Sequence, residues 1–174
     1  MSLPKLLFEL ASLKNIPRSG WFKLNIRDPE SVAEHSFLTG VIAFFIGLRE
    51  YGDVNEAAKA CVAALFHDIH EARTLDLHKL SRRYVKVDES KVIEEQLNFD
   101  EGLVVKELIE KYSDIVKDAD KIELFIQSRI YSDFNKDCEI YGKNIELRTK
   151  TGKELIKDLK NTDHKWWLDF EVLR

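Results

Sequence analysis

Apolar stretches of helical spacing alternate with short polar links along this chain, and no segment shows the two-residue alternation of a strand. Apolar residues at 3, 6, 7, 10 and 13 predict a helix from Leu3 to about Asn15, which Pro17 ends. The next stretch, PRSGWFKLNIRDPE, carries Pro17, Gly20 and Pro29 and reads as an ordered loop. Ser31 followed by Glu34 matches a capping box, and VAEHSFLTGVIAFFIGLRE then runs apolar to Gly52. Asp53 and Glu56 repeat the device ahead of AAKACVAALFHDIHEA. Residues 74–87 read as irregular. Charged helices follow at roughly 88–98 and 100–112, another spans about 114–132, and the tail holds NIELRTKTGKELIKDL and DHKWWLDFEVL. The pattern predicts an all-α fold.

Composition narrows this picture. A chain of 174 residues suits one domain with a core of its own, and 44% hydrophobic with 33% charged residues fits a compact helical protein. No run approaches the ~18–20 unbroken apolar residues of a membrane span, so we expect a cytoplasmic protein that engages no membrane. Cys61 and Cys138 stand in no paired spacing, which favours two reduced thiols. The net charge of -4 argues against a nucleic-acid polymer as partner. It leaves small phosphorylated ligands open, because a single basic pocket can bind those.

The candidate chemistry lies in LFHDIHEARTLD, residues 65–76. On a helix, His67 shares a face with His70 and Glu71, and Asp68 is rotated about 100° away. A lone His-Asp pair is an ordinary polar helix end. Here ALFHD sets the pair directly after a run that must be core, so its charge needs a partner. His35 can supply one from the first turns of the preceding long helix. Asp118 and Asp120 are the other candidates: Asp118 projects with Asp114 and Lys121 onto a charged, solvated stripe, whereas Asp120 shares a seam with Val116, Glu123 and Gln127 and is preferred.

The order His35, His67-Asp68, Asp120 resembles the H…HD…D signature of the HD-domain metal-dependent phosphohydrolases. LKNIPRSGWFKLNIRDPESVAEHS and HDIHEARTLDL are similar to the 5'-deoxynucleotidase branch of that superfamily, over roughly residues 1–135. The resemblance implies a single HD-domain helical bundle over residues 1–174, with 136–174 as a C-terminal helical extension. It also implies about one divalent transition ion per chain on His35, His67, Asp68 and Asp120. That nitrogen and oxygen set does not choose among Mn, Co, Ni, Fe and Zn. The expected reaction is removal of the 5'-phosphate from a 2'-deoxyribonucleoside 5'-monophosphate by metal-bound water, in a homodimeric enzyme.

Further roles follow from the resemblance, each beside a plainer alternative. Arg18 is the phosphate ligand, since guanidinium grips phosphate oxygens in a fork. Glu71 aligns or deprotonates the water or protonates the leaving oxygen, or else is a helix-end ion pair. Asp76 contacts the sugar or supports proton transfer, or else caps a turn. Trp21 packs near the sugar and helps to exclude a 2'-hydroxyl, or else is core. Lys79, Arg82 and Arg83 read as solvated, with a minority case for reaching phosphate; His70 and His78 read as surface residues, and His164 as packing. Leu75 departs from the branch, which often has Gly before the Asp. Hydrolysis of another phosphate ester, phosphodiester or pyrophosphate nucleotide, or an inactive nucleotide-sensing module, remain the alternatives.

Overall fold

The structure, a computed structural model, describes residues 1–170; residues 171–174, the end of the DHKWWLDFEVL segment, lie outside the described residues. Helix α1 (Leu3–Leu10) tightens into a 3₁₀ turn at Ala11–Asn15. After it come α2 (Val32–Tyr51), α3 (Val54–Leu65), the single turn α4 (Glu71–Thr74), α5 (Glu89–Leu97), α6 (Asp100–Lys111), α7 (Ser113–Tyr131) and α8 (Lys150–Asn161). The fold is all-α, and among the described residues the sole strand-like feature is an antiparallel bridge between Pro17 and Ser31. That bridge closes the Pro17–Ser31 loop on itself, and a 3₁₀ turn at Ser19–Leu24 fills it.

Helix α2 starts where its sequence says: Ser31 accepts from the Glu34 backbone N–H while the Glu34 carboxylate accepts from Ser31. It ends at Gly52, whose φ of 66° suits a residue without Cβ. At 20 residues α2 is long enough for a bilayer, yet half of its apolar window is buried inside the bundle. Against it lies α3, whose Ala57, Ala60, Ala63 and Ala64 are fully buried. The two backbones meet closely at Gly47, where an added Cβ would come within 3.1 Å of the Ala57 Cα. Ile42 and Ile46 of α2, Ile115, Ala119, Ile122 and Phe125 of α7, and Ile156 of α8 complete the main core. Truncating Ile46 or Ile122 to Ala would cost about 2–5 kcal/mol.

The sequence reading takes the helix of residues 57–72 as continuous, but it breaks. α3 stops at Leu65, and residues 66–70 form a turn. The cause is local: the Ala64 carbonyl, which would accept the Asp68 N–H in a continuous helix, instead accepts from His67 Nδ1 at 2.6 Å. The turn is pinned from outside. Arg73 donates to Glu9 of α1 and Glu95 of α5 at 2.7 and 2.9 Å, and Gln96 donates to the Ile69 carbonyl at 3.0 Å.

Two surface assignments also need correction. His70 is buried, at 5% exposure, because this turn folds it inward. Asp118 is fully buried, not part of a solvated stripe. Its carboxylate accepts from the Arg148 and Thr149 backbone N–H groups, each at 2.8 Å, and from Thr149 Oγ at 2.7 Å, tying the chain entering α8 to α7.

Candidate metal and phosphate site

The break in the helix lets the His-Asp pair face one point from two sides. His35, at 0% exposure on the first turn of α2, directs its Nδ1 at Glu123 of α7, 2.6 Å from Oε2. His67 spends its Nδ1 on the Ala64 carbonyl. A carboxylate and a carbonyl accept only, so each imidazole carries its proton on Nδ1 and presents Nε2. The ring centroids lie 5.3 Å apart.

Both Nε2 atoms are buried, and neither makes a hydrogen bond. Carboxylate oxygens crowd them nonetheless. Asp120 Oδ1 is 3.3 Å and Asp68 Oδ2 3.7 Å from His35 Nε2, and Asp68 Oδ2 is 3.1 Å from His67 Nε2. Buried nitrogens aimed at carboxylates without a shared hydrogen bond are the pattern of ligands around a cation, and His35, His67 and Asp68 meet the spacing of a metal site. The Nδ1 contact to Glu123 is the outer-shell orientation that metal-binding histidines need.

The electrostatics agree with this reading. Burial disfavours a charged His35, but the adjoining Asp120 and Glu123 carboxylates outweigh it and push the imidazole up to about 10. The carboxylates demand positive charge at this point, and a divalent ion would supply it. Burial also opposes ionisation of Asp68, yet His67 and then Arg18 hold its carboxyl well below the usual range. Asp120 is likewise lowered against burial, chiefly by His35 and His67.

Arg18 reaches the cluster from the Pro17–Ser31 loop. Its guanidinium lies 3.4 Å from Asp68, 3.7 Å from Asp76 and 3.9 Å from Asp120. Ser19 couples this loop to the one carrying Asp76: its N–H donates to Asp76 Oδ2, and its hydroxyl to the Asp76 carbonyl at 2.7 Å. Glu71 is 1% exposed, with Oε2 unpartnered. Burial, joined by the negative charges of Asp68 and Asp76, pushes its carboxyl up to about 9. Leu75, between the two, adopts φ 63° and ψ 164°, backbone that glycine alone takes without strain.

These groups open onto a cavity of about 500 Å³. Arg18, Trp21, His67, Asp68, Glu71, Asp76 and Asp120 all line it, whereas His35 stands behind. Trp21 borders it at 2% exposure; its ring is held edge-on between Tyr131 and Tyr141, each at 5.0 Å, and its N–H donates to Glu30. Trp21 is therefore a fixed part of the cavity wall. Lys79 and Arg82 also line the cavity, as do His78 and Lys117, but Arg83 does not.

Three contributors escape the sequence reading. Glu123 stands one helical turn after Asp120, a spacing that could have marked it as the partner of His35. Glu30 is half-buried and, driven first by desolvation and then by Glu123, its carboxyl is pushed up to about 8. Tyr141, beyond the stretch that carries the resemblance, lines the cavity and donates to the Gly20 carbonyl at 3.1 Å, with no local signal to announce it.

Comparison with known proteins places this geometry. The HD domain family profile matches residues 10–161. The human 5'-deoxynucleotidase HDDC2 is 30% identical over 146 residues, covering 76% of this chain and 69% of that protein. Its Danio rerio counterpart is 29% identical over 140 residues, 71% of this chain and 66% of its own length, so the chain spans about two thirds of these relatives. A structural-genomics crystal structure is 44% identical, with a TM-score of 0.86 over 95% of this chain and 98% of its own.

Proposed function

We propose that this chain, which belongs to the HD domain family of phosphohydrolases, removes the 5'-phosphate from 2'-deoxyribonucleoside 5'-monophosphates. The observation that carries the reading is the meeting of two orphaned imidazole nitrogens, His35 Nε2 and His67 Nε2, with Asp68 and Asp120 beside Arg18. The name of the HDDC2 relatives supports the substrate class.

His35, His67, Asp68 and Asp120 would hold the divalent ion, which supplies Lewis-acid polarisation of a phosphate oxygen and of water when bound. Because Asp68 and Asp120 already cancel two positive charges, the phosphate dianion needs Arg18, whose fork binds its oxygens. The Ser19 clamp on Asp76 keeps that guanidinium in register with the far wall of the cavity. Glu71 holds a proton close to Asp68 and Asp76. It can give that proton to the 5'-oxygen as water adds to phosphorus and the bond to the 5'-oxygen breaks, and the resulting carboxylate then takes the proton that the added water sheds. Asp76 faces the nucleoside, and Trp21 stiffens the wall that a 2'-hydroxyl would meet. Steric rejection of one hydroxyl is modest in general, so discrimination of about 10²-fold at most is expected from such a wall.

The test is kcat/KM for a deoxy and ribo 5'-monophosphate pair sharing one base, in the wild type and in Trp21→Phe. A preference for the deoxynucleotide that the variant erodes supports the reading. Equal values for the wild-type pair would overturn the deoxynucleotidase assignment and leave the phosphohydrolase family standing. A 3'-monophosphate and a nucleoside triphosphate complete the panel, since Lys79 and Lys117 at the cavity mouth could serve a longer phosphate chain.

A further inference from the structure

The catalytic cavity lies at the Nε2 edge of His35. A second cavity, of about 480 Å³, reaches the opposite edge through Glu123. Its walls carry four carboxylates, Asp28, Glu30, Glu34 and Glu123, and, among the described residues, no cationic side chain. Glu34 is occupied by the α2 cap. Glu30 and Glu123 are different: with His35 they bring ligand atoms within 4.8 Å of one another. Glu123 is 1% exposed; its Oε2 is taken by His35, but its Oε1 has no partner. An ionised oxygen in that position is costly unless something positive meets it.

We propose that Glu30 and Glu123 form a second cation site, for a hard divalent ion of the Mg²⁺ or Ca²⁺ kind, on the side of His35 away from the transition ion. Carboxylate oxygens are what such ions take, the Gln127 amide and Tyr131 hydroxyl border the same cavity, and there is room for the waters that complete the shell. The site is independent of the nucleotide reading, because none of its oxygen ligands touches the catalytic cavity. It is coupled to the first site through one carboxylate: Glu123 orients His35 with one oxygen and would bind the cation with the other.

Trp21 reports on the site, since its N–H donates to Glu30 Oε1 at 3.1 Å. Replacing Trp166 and Trp167 by Phe leaves Trp21 as the single indole of the 3 in the chain. In that background, loaded with one equivalent of Zn²⁺, titration with Ca²⁺ or Mg²⁺ should give a saturable change in Trp21 emission. Glu30→Gln should weaken it at least tenfold, while Asp120→Asn, which damages only the first site, should leave it within a few fold. The proposal is overturned by the absence of a saturable change, by a change that Glu30→Gln leaves intact, or by one that Asp120→Asn abolishes. Should Glu30→Gln fail to fold, equilibrium dialysis of the zinc-loaded, unsubstituted chain against radioactive Ca²⁺ decides: about one Ca²⁺ per chain supports the site, and none overturns it.

Discussion

Asp118 and Asp120 sit two residues apart on α7 and serve different purposes: Asp120 Oδ1 faces His35 Nε2 at 3.3 Å, whereas Asp118 turns away to hold the Arg148 and Thr149 backbone. In the proposed function one carboxylate belongs to the chemistry, and the other holds the fold.

Replacing Asp120 with Ala should therefore abolish tight transition-metal binding and activity together while leaving the protein folded. Asp118→Ala should keep the metal but lower stability, because it strands buried N–H donors at about 1–3 kcal/mol each. Metal content after dialysis and urea midpoints separate the two. Loss of metal without loss of stability in Asp118→Ala would reverse the assignment.

Glu71→Gln keeps the volume of a side chain that is 1% exposed but removes its titrating proton. Bound metal should be unchanged and kcat should fall by roughly 10²- to 10⁴-fold, the usual contribution of a general acid or base. Wild-type turnover in this variant would make Glu71 a packing residue.

Strain at Leu75 gives a stability prediction that does not depend on function. Its φ of 63° with ψ of 164° costs on the order of 1–3 kcal/mol for a residue with a Cβ, and its side chain, 60% exposed, returns little by burial. Leu75→Gly should stabilise the protein by about 1 kcal/mol after the extra entropy of glycine in the unfolded chain is subtracted. Leu75→Ala should bring no such gain. Thermal unfolding of the two variants provides the comparison.

Acid should loosen the contact between α3 and α6 at Glu56. Hydrogen bonds from Lys111, Lys59 and Tyr112 hold its carboxyl at about 2, below the ordinary 4.5. A depressed folded-state value means that the stabilisation is complete above about 4.5 and is lost as the pH falls toward 2. Urea midpoints measured from pH 5 to 2 should decline less steeply in Glu56→Gln than in the wild type. Parallel declines would show that the cluster contributes nothing to folding.

The helical spacing of apolar residues determined the all-α class and most element positions, because a core-facing stripe and its caps are properties of consecutive residues. Ser31 with Glu34 is a clear instance: both halves of the cap lie within one turn. The sequence also singled out His35, His67, Asp68 and Asp120, which the fold brings together, through their order and the family it resembles. What only the tertiary structure decided are relations between distant segments. That the turn after Leu65 is held in place depends on Gln96 of α5, 27 residues further on, donating to the Ile69 carbonyl. That Asp118 is buried depends on a loop 30 residues later folding back onto α7. The pairing of His35 with Glu123, 88 residues apart, and the placement of Tyr141 against Trp21 follow from helix packing, which the periodicity of any single helix does not encode.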